Sequence, residues 1–323
     1  MPDTFSVSLV IIGLYYAYKF LKNDSKYNLI FFFIFSTTGM LCKIPALSIF
    51  SVLSIVIFIK AVDFHKKVAL YLTGALSFSI VCLWYFYWVP FLLETYQYQL
   101  YFPKSLAEGL QEIKPLIPEL FEKFYFSALH SYIALICFLY GIVLLIKSKQ
   151  AYFISSLGII SIVFFLFILK TGSVFPLHNY YIIPFTPIMA VLVGYAISSI
   201  PLKFQYILFG LISVEAIANQ QHDFRIKETQ LYKLQLEDIT KKVIPKKDLI
   251  IINGGQSPQS IYFSNRKGWT VNNTEILNEQ YVDSLAKLGA KYIIIDRTTI
   301  NNHSSKHPVL YRDKNYAIHD LRQ

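Results

Sequence analysis

The chain has 323 residues, of which 54% are hydrophobic, 17% aromatic and only 15% charged. Because soluble domains carry about 25% charged residues, this composition argues against a soluble globular protein and indicates a membrane protein. The net charge of +10 does not indicate a nucleic-acid partner, because the lysines of the first part lie in short loops between apolar runs. More than half of the charged residues follow residue 219. We therefore predict an α-helical polytopic membrane domain over 1–219 and a small soluble α/β domain over 220–323.

The first domain contains apolar runs long enough to cross a lipid bilayer. A transmembrane helix needs roughly 20 apolar residues, and eight runs near this length have no charge near their middle. The eight predicted spans are 5–21, 28–42, 45–60, 68–90, 129–146, 151–169, 182–200 and 202–219. Three cysteines, Cys42, Cys82 and Cys137, lie in or beside these runs without metal-ligand spacing. We interpret them as small buried hydrophobic residues.

Lysines mark one side of the predicted membrane domain, because they are concentrated in alternate loops. These residues are Lys19, Lys22, Lys26, Lys60, Lys66, Lys67, Lys147, Lys149 and Lys203. The positive-inside rule places them in the cytoplasm, so we expect a plasma (inner) membrane protein with an extracytoplasmic C-terminal domain. This orientation leaves Met1 outside with no signal peptide before it. We therefore expect the chain to be the C-terminal part of a longer protein.

Strand and helix patterns alternate in the C-terminal domain. The segments LEDITKKVI, SPQSIYFSN and EQYVDSLAKLG favour helices, whereas DLIIING, KGWTV, KYIIID and NYAIHDL favour strands. This alternation predicts a mostly parallel sheet. Asn253-Gly254-Gly255 follows the first strand but lacks the spacing and the lysine of a phosphate loop, so we interpret it as a tight turn. Without a catalytic constellation, the domain is expected to dock onto the membrane part or to gate an acceptor.

Two charged residues lie at predicted outer ends of spans. Asp3 precedes the first span, where an acid ligates a divalent metal ion or acts as a general base. The structural alternative for Asp3 is a helix N-cap. Lys43 lies between two apolar runs and departs from the positive-inside pattern. It holds a phosphate anion at headgroup level, or it is a snorkelling lysine that marks a helix end.

The segment PLHNYYIIPFTPIMAVLVGYAI opens with polar and aromatic residues and then becomes apolar. His178, Asn179, Tyr180 and Tyr181 lie at this opening. Their side chains hydrogen-bond phosphate or sugar hydroxyls without placing a fixed charge in the membrane. The alternative is that they form part of an interfacial aromatic belt.

Two further features are weaker candidates. The segment 91–128 mixes aromatic residues, prolines and glutamates, which favours amphipathic helices on the membrane surface. Four of its aromatic side chains either line a sugar or lipid site or anchor the segment: Tyr96, Tyr98, Tyr101 and Phe102. Glu215, near the outer end of the last predicted span, is either functional, as membrane acids often are, or structural.

Three motifs occur together in a defined order. They are Pro2-Asp3, then Gly39-Met40-Leu41-Cys42-Lys43-Ile44-Pro45, then His178-Asn179-Tyr180-Tyr181-Ile182-Ile183-Pro184. Over roughly residues 1–200, this arrangement resembles the integral-membrane GT-C glycosyltransferases. The group in question is the polyprenyl-phosphate-sugar-dependent enzymes related to protein mannosyltransferases and the aminoarabinose transferases of lipid A.

The resemblance implies transfer of a glycosyl group from a polyprenyl-phosphate sugar donor to a glycan, lipid or protein acceptor on the outer face of the membrane. Departure of the lipid phosphate needs positive charge from lysine, arginine or a metal ion, and attack by the acceptor needs a carboxylate base. On this reading Lys43 holds the phosphate. Residues His178–Tyr181 contact the carrier or the sugar, and the catalytic residue Asp3 lies near the metal or the acceptor.

One departure from the family pattern keeps other functions open. Family members begin with further helices and an external loop that carries acidic residues, and this sequence shows no such loop. The resemblance is therefore also compatible with a fragment, a split gene product or an inactive relative. A membrane transporter is an alternative, although it usually shows broken helices, intramembrane charges or internal repeats. A membrane-anchored binding protein that uses its C-terminal domain is another.

Overall fold

The computed structural model describes residues 2–96, 104–255, 257–300 and 306–322. Tyr98, Tyr101 and Phe102 lie outside the described residues. The chain divides into two compact units, 1–221 and 222–323. Each unit has hydrophobic clusters of its own.

Unit 1 is formed by helices throughout its described residues. The α-helices are α1 (Pro2–Asn23), α2 (Lys26–Cys42), α3 (Leu47–Phe50), α4 (Phe64–Leu83), α5 (Val89–Tyr96), α6 (Leu106–Ile113), α7 (Ile117–Glu122), α8 (Tyr132–Ser148), α9 (Ala151–Thr171), α10 (Thr186–Ser198) and α11 (Leu202–Gln220). The 3-10 segments include Ile44–Ala46, Ser51–Phe58, Lys114–Leu116, Gly172–Val174 and Asn179–Phe185, and π-helical turns cover Trp84–Trp88 and Lys123–Ser127. Local capping explains several helix starts, such as α4, where the Asp63 carboxylate accepts hydrogen bonds from two backbone N–H groups.

The expectation of eight membrane spans is not supported by the described residues. Four helices there are long and apolar enough to cross a membrane: Pro2–Asn23, Phe64–Tyr96, Ala151–Val174 and Asn179–Ser198. They correspond to the runs predicted at 5–21, 68–90, 151–169 and 182–200. A fifth crossing is possible where Leu106–Ser127 and Tyr132–Ser148 meet at a bend of 100°.

The other predicted spans fail for physical reasons. The runs at 28–42 and 45–60 form the shorter helical segments Lys26–Cys42 and Ile44–Phe58, which fall below the roughly 20 residues that a bilayer requires. The run at 202–219 forms α11, but Lys203, Gln205 and Glu215 dilute its apolar character. Of the cysteines, Cys137 is buried, whereas Cys42 is exposed and does not behave as a buried hydrophobic residue.

Helices α1 and α2 pack so closely that glycine is required at their contact. A Cβ atom on Gly39 would lie 2.9 Å from the backbone oxygen of Ser6 and 2.8 Å from Cγ2 of Val10. The Ser6 hydroxyl also donates hydrogen bonds to the carbonyls of Gly39 (2.6 Å) and Lys43 (3.0 Å). This contact fixes the start of α1 against the end of α2.

A second cluster joins α8, α9 and α10 beneath the segment Asn179–Phe185. Phe164, Phe175 and Ile182 are almost fully buried there, and the ring of Phe164 stacks on that of Phe185 at 4.9 Å. Aromatic packing of this kind adds about 0.5–1.5 kcal/mol beyond area burial. The cluster therefore anchors the polar stretch His178–Tyr181 to the helices below it.

Hydrogen bonds identify which helix termini share an end of unit 1. The ammonium of Lys66, in α4, donates to the carbonyl of Leu21 at 3.3 Å. The hydroxyl of Tyr152, in α9, donates to the carbonyl of Phe58 at 3.0 Å. The end of α1 and the starts of α4 and α9 therefore lie at one end, where many of the lysines of the basic loops are concentrated.

Unit 2 contains a five-stranded sheet in the order β2-β1-β3-β5-β4. The strands are β1 (Leu249–Ile252), β2 (Lys267–Thr270), β3 (Ala290–Asp296), β4 (Val309–Arg312) and β5 (Tyr316–Asp320). Helices α12 (Leu236–Val243) and α13 (Gln259–Phe263) pack on one face, and α14 (Asn273–Leu277) and α15 (Glu279–Lys287) pack on the other. The 3-10 segments Gln221–Phe224 and Glu228–Gln235 precede α12.

The expectation of a mostly parallel sheet is wrong, because the sheet is mixed. Strands β2, β1 and β3 pair in parallel, but β5 pairs antiparallel with both β3 and β4. The connection between β4 and β5 has three residues, and a parallel crossover needs a dozen or more. The tight turn expected at Asn253-Gly254-Gly255 is present, and the buried Asn253 side chain accepts a hydrogen bond from the backbone N–H of Asp296 at 2.6 Å.

Candidate functional site

Asp3 and Lys43 form an ion pair at the junction of α1 and α2. The Lys43 Nζ atom lies 2.7 Å from Oδ1 of Asp3 and donates a hydrogen bond to Oδ2 at 2.8 Å. The Asp3 side chain is only 1% exposed, and its Oδ1 has no well-aligned hydrogen bond. The carboxylate lies in the first turn of α1 and is directed at Lys43, so its main partner is this ammonium rather than the helix backbone.

Two tyrosines complete the surroundings of the Lys43 ammonium. Its Nζ atom lies 4.6 Å from the ring centroid of Tyr180 and 4.8 Å from that of Tyr181. An ammonium this close to aromatic faces is attracted by the ring quadrupoles. Lys43 is therefore turned towards Asp3 and the tyrosines, with 23% of its side chain exposed.

His178 extends this aromatic group. Its ring stacks on Tyr180 at 5.0 Å and meets Tyr181 edge-on at 5.2 Å. The two tyrosine rings are themselves 4.9 Å apart in an edge-on arrangement. Asp3, Lys43, His178, Tyr180 and Tyr181, which come from three distant parts of the sequence, thus form one contiguous group, hereafter the Asp3–Lys43 cluster.

Asn179 belongs to the same loop, but its side-chain hydrogen bonds are to a different element. Its Oδ1 accepts a hydrogen bond from Nζ of Lys123 at 2.5 Å and one from the Ser127 hydroxyl at 3.4 Å. Lys123 is buried, with 8% exposure. It was not a sequence candidate, because 91–128 was interpreted as an amphipathic surface segment. The one signal in the sequence is its aromatic setting, Phe-Glu-Lys-Phe-Tyr-Phe.

Glu215 has a structural role at the start of α8. Its carboxylate accepts hydrogen bonds from the backbone N–H groups of Tyr132 (3.0 Å) and Ile133 (3.2 Å) and from the Ser131 hydroxyl. A carboxylate in this position satisfies backbone donors and interacts favourably with the helix dipole. Tyr96, the described aromatic residue among the weaker candidates of 91–128, ends α5 with 64% exposure.

The metal ion that the sequence suggested beside Asp3 has one carboxylate of the cluster to bind it within the described part of the chain. Among the described residues, no group of three or more histidine, cysteine, aspartate or glutamate side chains is close enough to hold one. A hard cation such as Mg²⁺ is bound through carboxylates and other oxygen ligands, whereas the Asp3 carboxylate is neutralised by Lys43.

An apolar crevice of about 190 Å³ lies between α8, α9 and α10. Its lining includes residues of α8 from Phe138 to Ile146 and also Phe185, the last residue of the 3-10 segment that carries Asn179, Tyr180 and Tyr181. Ser161 is the one hydroxyl-bearing residue of the lining, which comprises Phe138, Ile142, Leu145, Ile146, Ile154, Leu157, Gly158, Ser161, Phe185, Ile188 and Leu192. Its shape and lining suit a hydrocarbon chain.

The arrangement combines a partly exposed ammonium, a buried carboxylate, two phenols and an imidazole, and an apolar crevice lies among α8, α9 and α10 of the same unit. These groups are able to bind an anionic headgroup attached to a hydrocarbon chain and to accept a proton. Comparisons of the chain with protein-family models, with curated proteins and with solved structures found no match.

Proposed function

We propose that unit 1 binds a polyprenyl-phosphate sugar and transfers its glycosyl group to a glycan, lipid or protein acceptor at the outer face of the plasma (inner) membrane. The observation that carries this proposal is the Asp3–Lys43 cluster. Groups suited to a phosphate, to sugar hydroxyls and to a proton converge there from both ends of unit 1's sequence. The convergence occurs at the ends of apolar helices, where a lipid headgroup would lie.

The distribution of lysines supports this orientation. The basic loops lie at the opposite end of the helices, where the hydrogen bond from Lys66 to the Leu21 carbonyl joins the start of α4 to the end of α1. Under the positive-inside rule, these loops would face the cytoplasm. The start of α1, the end of α2 and the start of α10 would then face outwards. The extracytoplasmic position of unit 2 is part of the same proposal.

The apolar crevice supports a lipid-borne donor rather than a soluble one. A polyprenyl chain is a branched hydrocarbon, and burial of apolar surface contributes about 25 cal/mol per Å². Phe185 joins the crevice to the polar loop. We propose that the chain of a lipid whose phosphate lies near Lys43 runs past Phe185 into this crevice.

The proposed reaction assigns a step to each group. Lys43 donates hydrogen bonds to the phosphate, while His178, Tyr180 and Tyr181 bind phosphate or sugar oxygens. The acceptor oxygen bonds to the anomeric carbon as the bond from that carbon to the phosphate oxygen breaks, and the phosphate leaves with the electron pair. The acceptor proton passes to Asp3. A phosphate bound by Lys43 draws the ammonium away from Asp3, which makes the carboxylate available as a base.

A second candidate function is binding or transport of the same anionic lipid without transfer. It is favoured by two observations. Asp3 is the sole carboxylate of the cluster within the described part of the chain, and it is already paired with Lys43. In addition, the 100° bend between Leu106–Ser127 and Tyr132–Ser148 is the kind of broken helix that transporters use.

One experiment separates these functions. The protein in lipid nanodiscs is titrated with polyprenyl phosphate and with neutral polyprenol, and then incubated with mannose- and aminoarabinose-linked polyprenyl phosphates plus candidate acceptors. The proposal expects phosphate-dependent binding that Lys43→Met weakens, and release of polyprenyl phosphate that Asp3→Asn abolishes. Glu215→Gln is the matched control, because this carboxylate caps α8. Binding without release in the native protein would favour the second candidate, and equal affinity for phosphate and polyprenol would overturn both.

A further inference from the structure

Lys123 is a buried lysine with no carboxylate partner among the described residues. Its side chain is 8% exposed and lies in the π-helical turn Lys123–Ser127. Its hydrogen-bond acceptor is the neutral amide oxygen of Asn179 at 2.5 Å. Within residues 2–96, 104–255, 257–300 and 306–322, no carboxylate forms an ion pair with it.

Such an arrangement is costly for the folded protein. An ammonium group has three donors, and burial without a counter-charge incurs a desolvation penalty of several kcal/mol that one neutral acceptor only partly offsets. Buried lysines are normally paired for this reason. An unpaired one beside a candidate binding site is a reason to look for an anion as its partner.

Lys123 and Lys43 contact the same short stretch of chain. Lys123 bonds to Asn179, and Lys43 lies over the rings of Tyr180 and Tyr181. The two ammonium groups differ in electrostatic state, because Lys43 is paired with Asp3, whereas Lys123 has no acid partner among the residues that the structure describes. The stretch Asn179–Tyr181 therefore contacts one ammonium that is paired with a carboxylate and one that is bonded to a neutral amide.

We propose that Lys123 is an anion-binding residue that favours the phosphomonoester product, polyprenyl phosphate, over the sugar-linked phosphodiester donor. This inference rests on the proposed function. The diester carries one negative charge, whereas a phosphomonoester carries about −1.5 to −2 at pH 7. Lys43 pairs with the single negative charge that donor and product share. Lys123, which shares the Asn179 acceptor with the Ser127 hydroxyl, pairs with the additional charge that develops on the phosphate as the sugar departs.

The test compares Lys123→Met with the native protein in nanodiscs. Native mass spectrometry or quenching of tryptophan fluorescence would give the affinities for polyprenyl phosphate and for a glycosylated polyprenyl phosphate. Loss of one charge-assisted hydrogen bond is expected to weaken binding of the monoester by about tenfold to a hundredfold. The diester should lose clearly less. Lys114→Gln, an exposed lysine in the same segment, is the matched control and should leave both affinities unchanged.

Thermal stability distinguishes anion binding from a structural role. If Lys123 binds an anion, removing its charge relieves the cost of desolvating the ammonium in the ligand-free protein. Lys123→Met should therefore keep or raise the melting temperature and lose affinity for polyprenyl phosphate. Lys123→Arg should retain the preference for the monoester. A lower melting temperature with unchanged affinities would overturn the inference, since Lys123 would then only support Asn179. Failure of the native protein to bind either phosphate would instead overturn the proposed function.

Discussion

Replacing Lys43 by methionine should destabilise unit 1 far more than replacing Asp3 by asparagine. Without Lys43, the Asp3 carboxylate remains 1% exposed and one of its oxygens has no hydrogen bond. Breaking a buried ion pair in this way costs about 3–5 kcal/mol. In Asp3→Asn, the Lys43 ammonium loses its counter-charge at a smaller cost in stability, because 23% of its side chain is already exposed to solvent and asparagine can still accept a hydrogen bond. We expect a cost of about 1–2 kcal/mol for Asp3→Asn.

The double variant provides the control for this asymmetry. Replacing both charges by neutral residues leaves no buried ion, and such replacements are often close to neutral, so we expect a cost of about 1 kcal/mol and a coupling energy of about 3–6 kcal/mol. Equilibrium unfolding in mixed detergent, with the four proteins measured side by side, gives all the required free energies. Additive single effects, or a larger cost for Asp3→Asn than for Lys43→Met, would refute the view that Lys43 compensates a buried carboxylate.

Three further predictions follow from individual contacts. Gly39→Ala forces its Cβ against α1 and should cost about 1–3 kcal/mol in the unfolding assay, whereas Gly194→Ala, which meets nothing within 4 Å, should be neutral or stabilising. Glu215→Gln should lower stability by about 1 kcal/mol through the weakened cap of α8 and leave polyprenyl phosphate affinity unchanged; a loss of affinity would contradict the structural role. The Arg322 guanidinium holds the pKa of Asp320 below its ordinary value, so this carboxylate contributes stability that is present above about pH 4 and is lost as the pH falls through the lowered pKa. Arg322→Gln should therefore move the midpoint of acid unfolding of unit 2 to higher pH, as followed by tryptophan fluorescence, and an unchanged midpoint would contradict the assignment.

Hydropathy predicted the long spans well and the short ones poorly. The runs at 68–90 and 151–169 are continuous apolar helices, for which composition and length lead to the same conclusion. The run at 45–60 is also apolar, but its helical segment extends only from Ile44 to Phe58, with Pro45 in its first turn and 3-10 geometry over Ser51–Phe58. Composition does not indicate how long a helix will be or where it becomes 3-10, because the same apolar residue types occur in short 3-10 segments and in membrane-spanning helices.

Residues of the candidate site could be singled out from the sequence, but most of their contacts could not. Asp3, Lys43 and Tyr180 stood out because polar residues interrupt apolar runs. Their mutual contacts depend on the close packing of α1 against α2, and nothing local reports a contact across 40 residues. Lys123 was missed for the same reason, since its burial depends on Asn179, 56 residues further along the chain. In unit 2, β4 was missed because its side chains are mainly exposed and lack alternation.

The strand order of unit 2 imposes an order of assembly. Strand β4 precedes β5 in the chain, but in the sheet β4 reaches β3 only through β5. As the chain emerges during synthesis, β1, β2 and β3 can already pair, while β4 has no edge to join until residues 316–320 arrive. Until then the free edge of β3, whose residues are largely buried in the finished sheet, is open to pairing with other chains. Folding of this unit therefore waits for its final strand, and deleting that strand would detach β4 as well, although β4 itself remained intact.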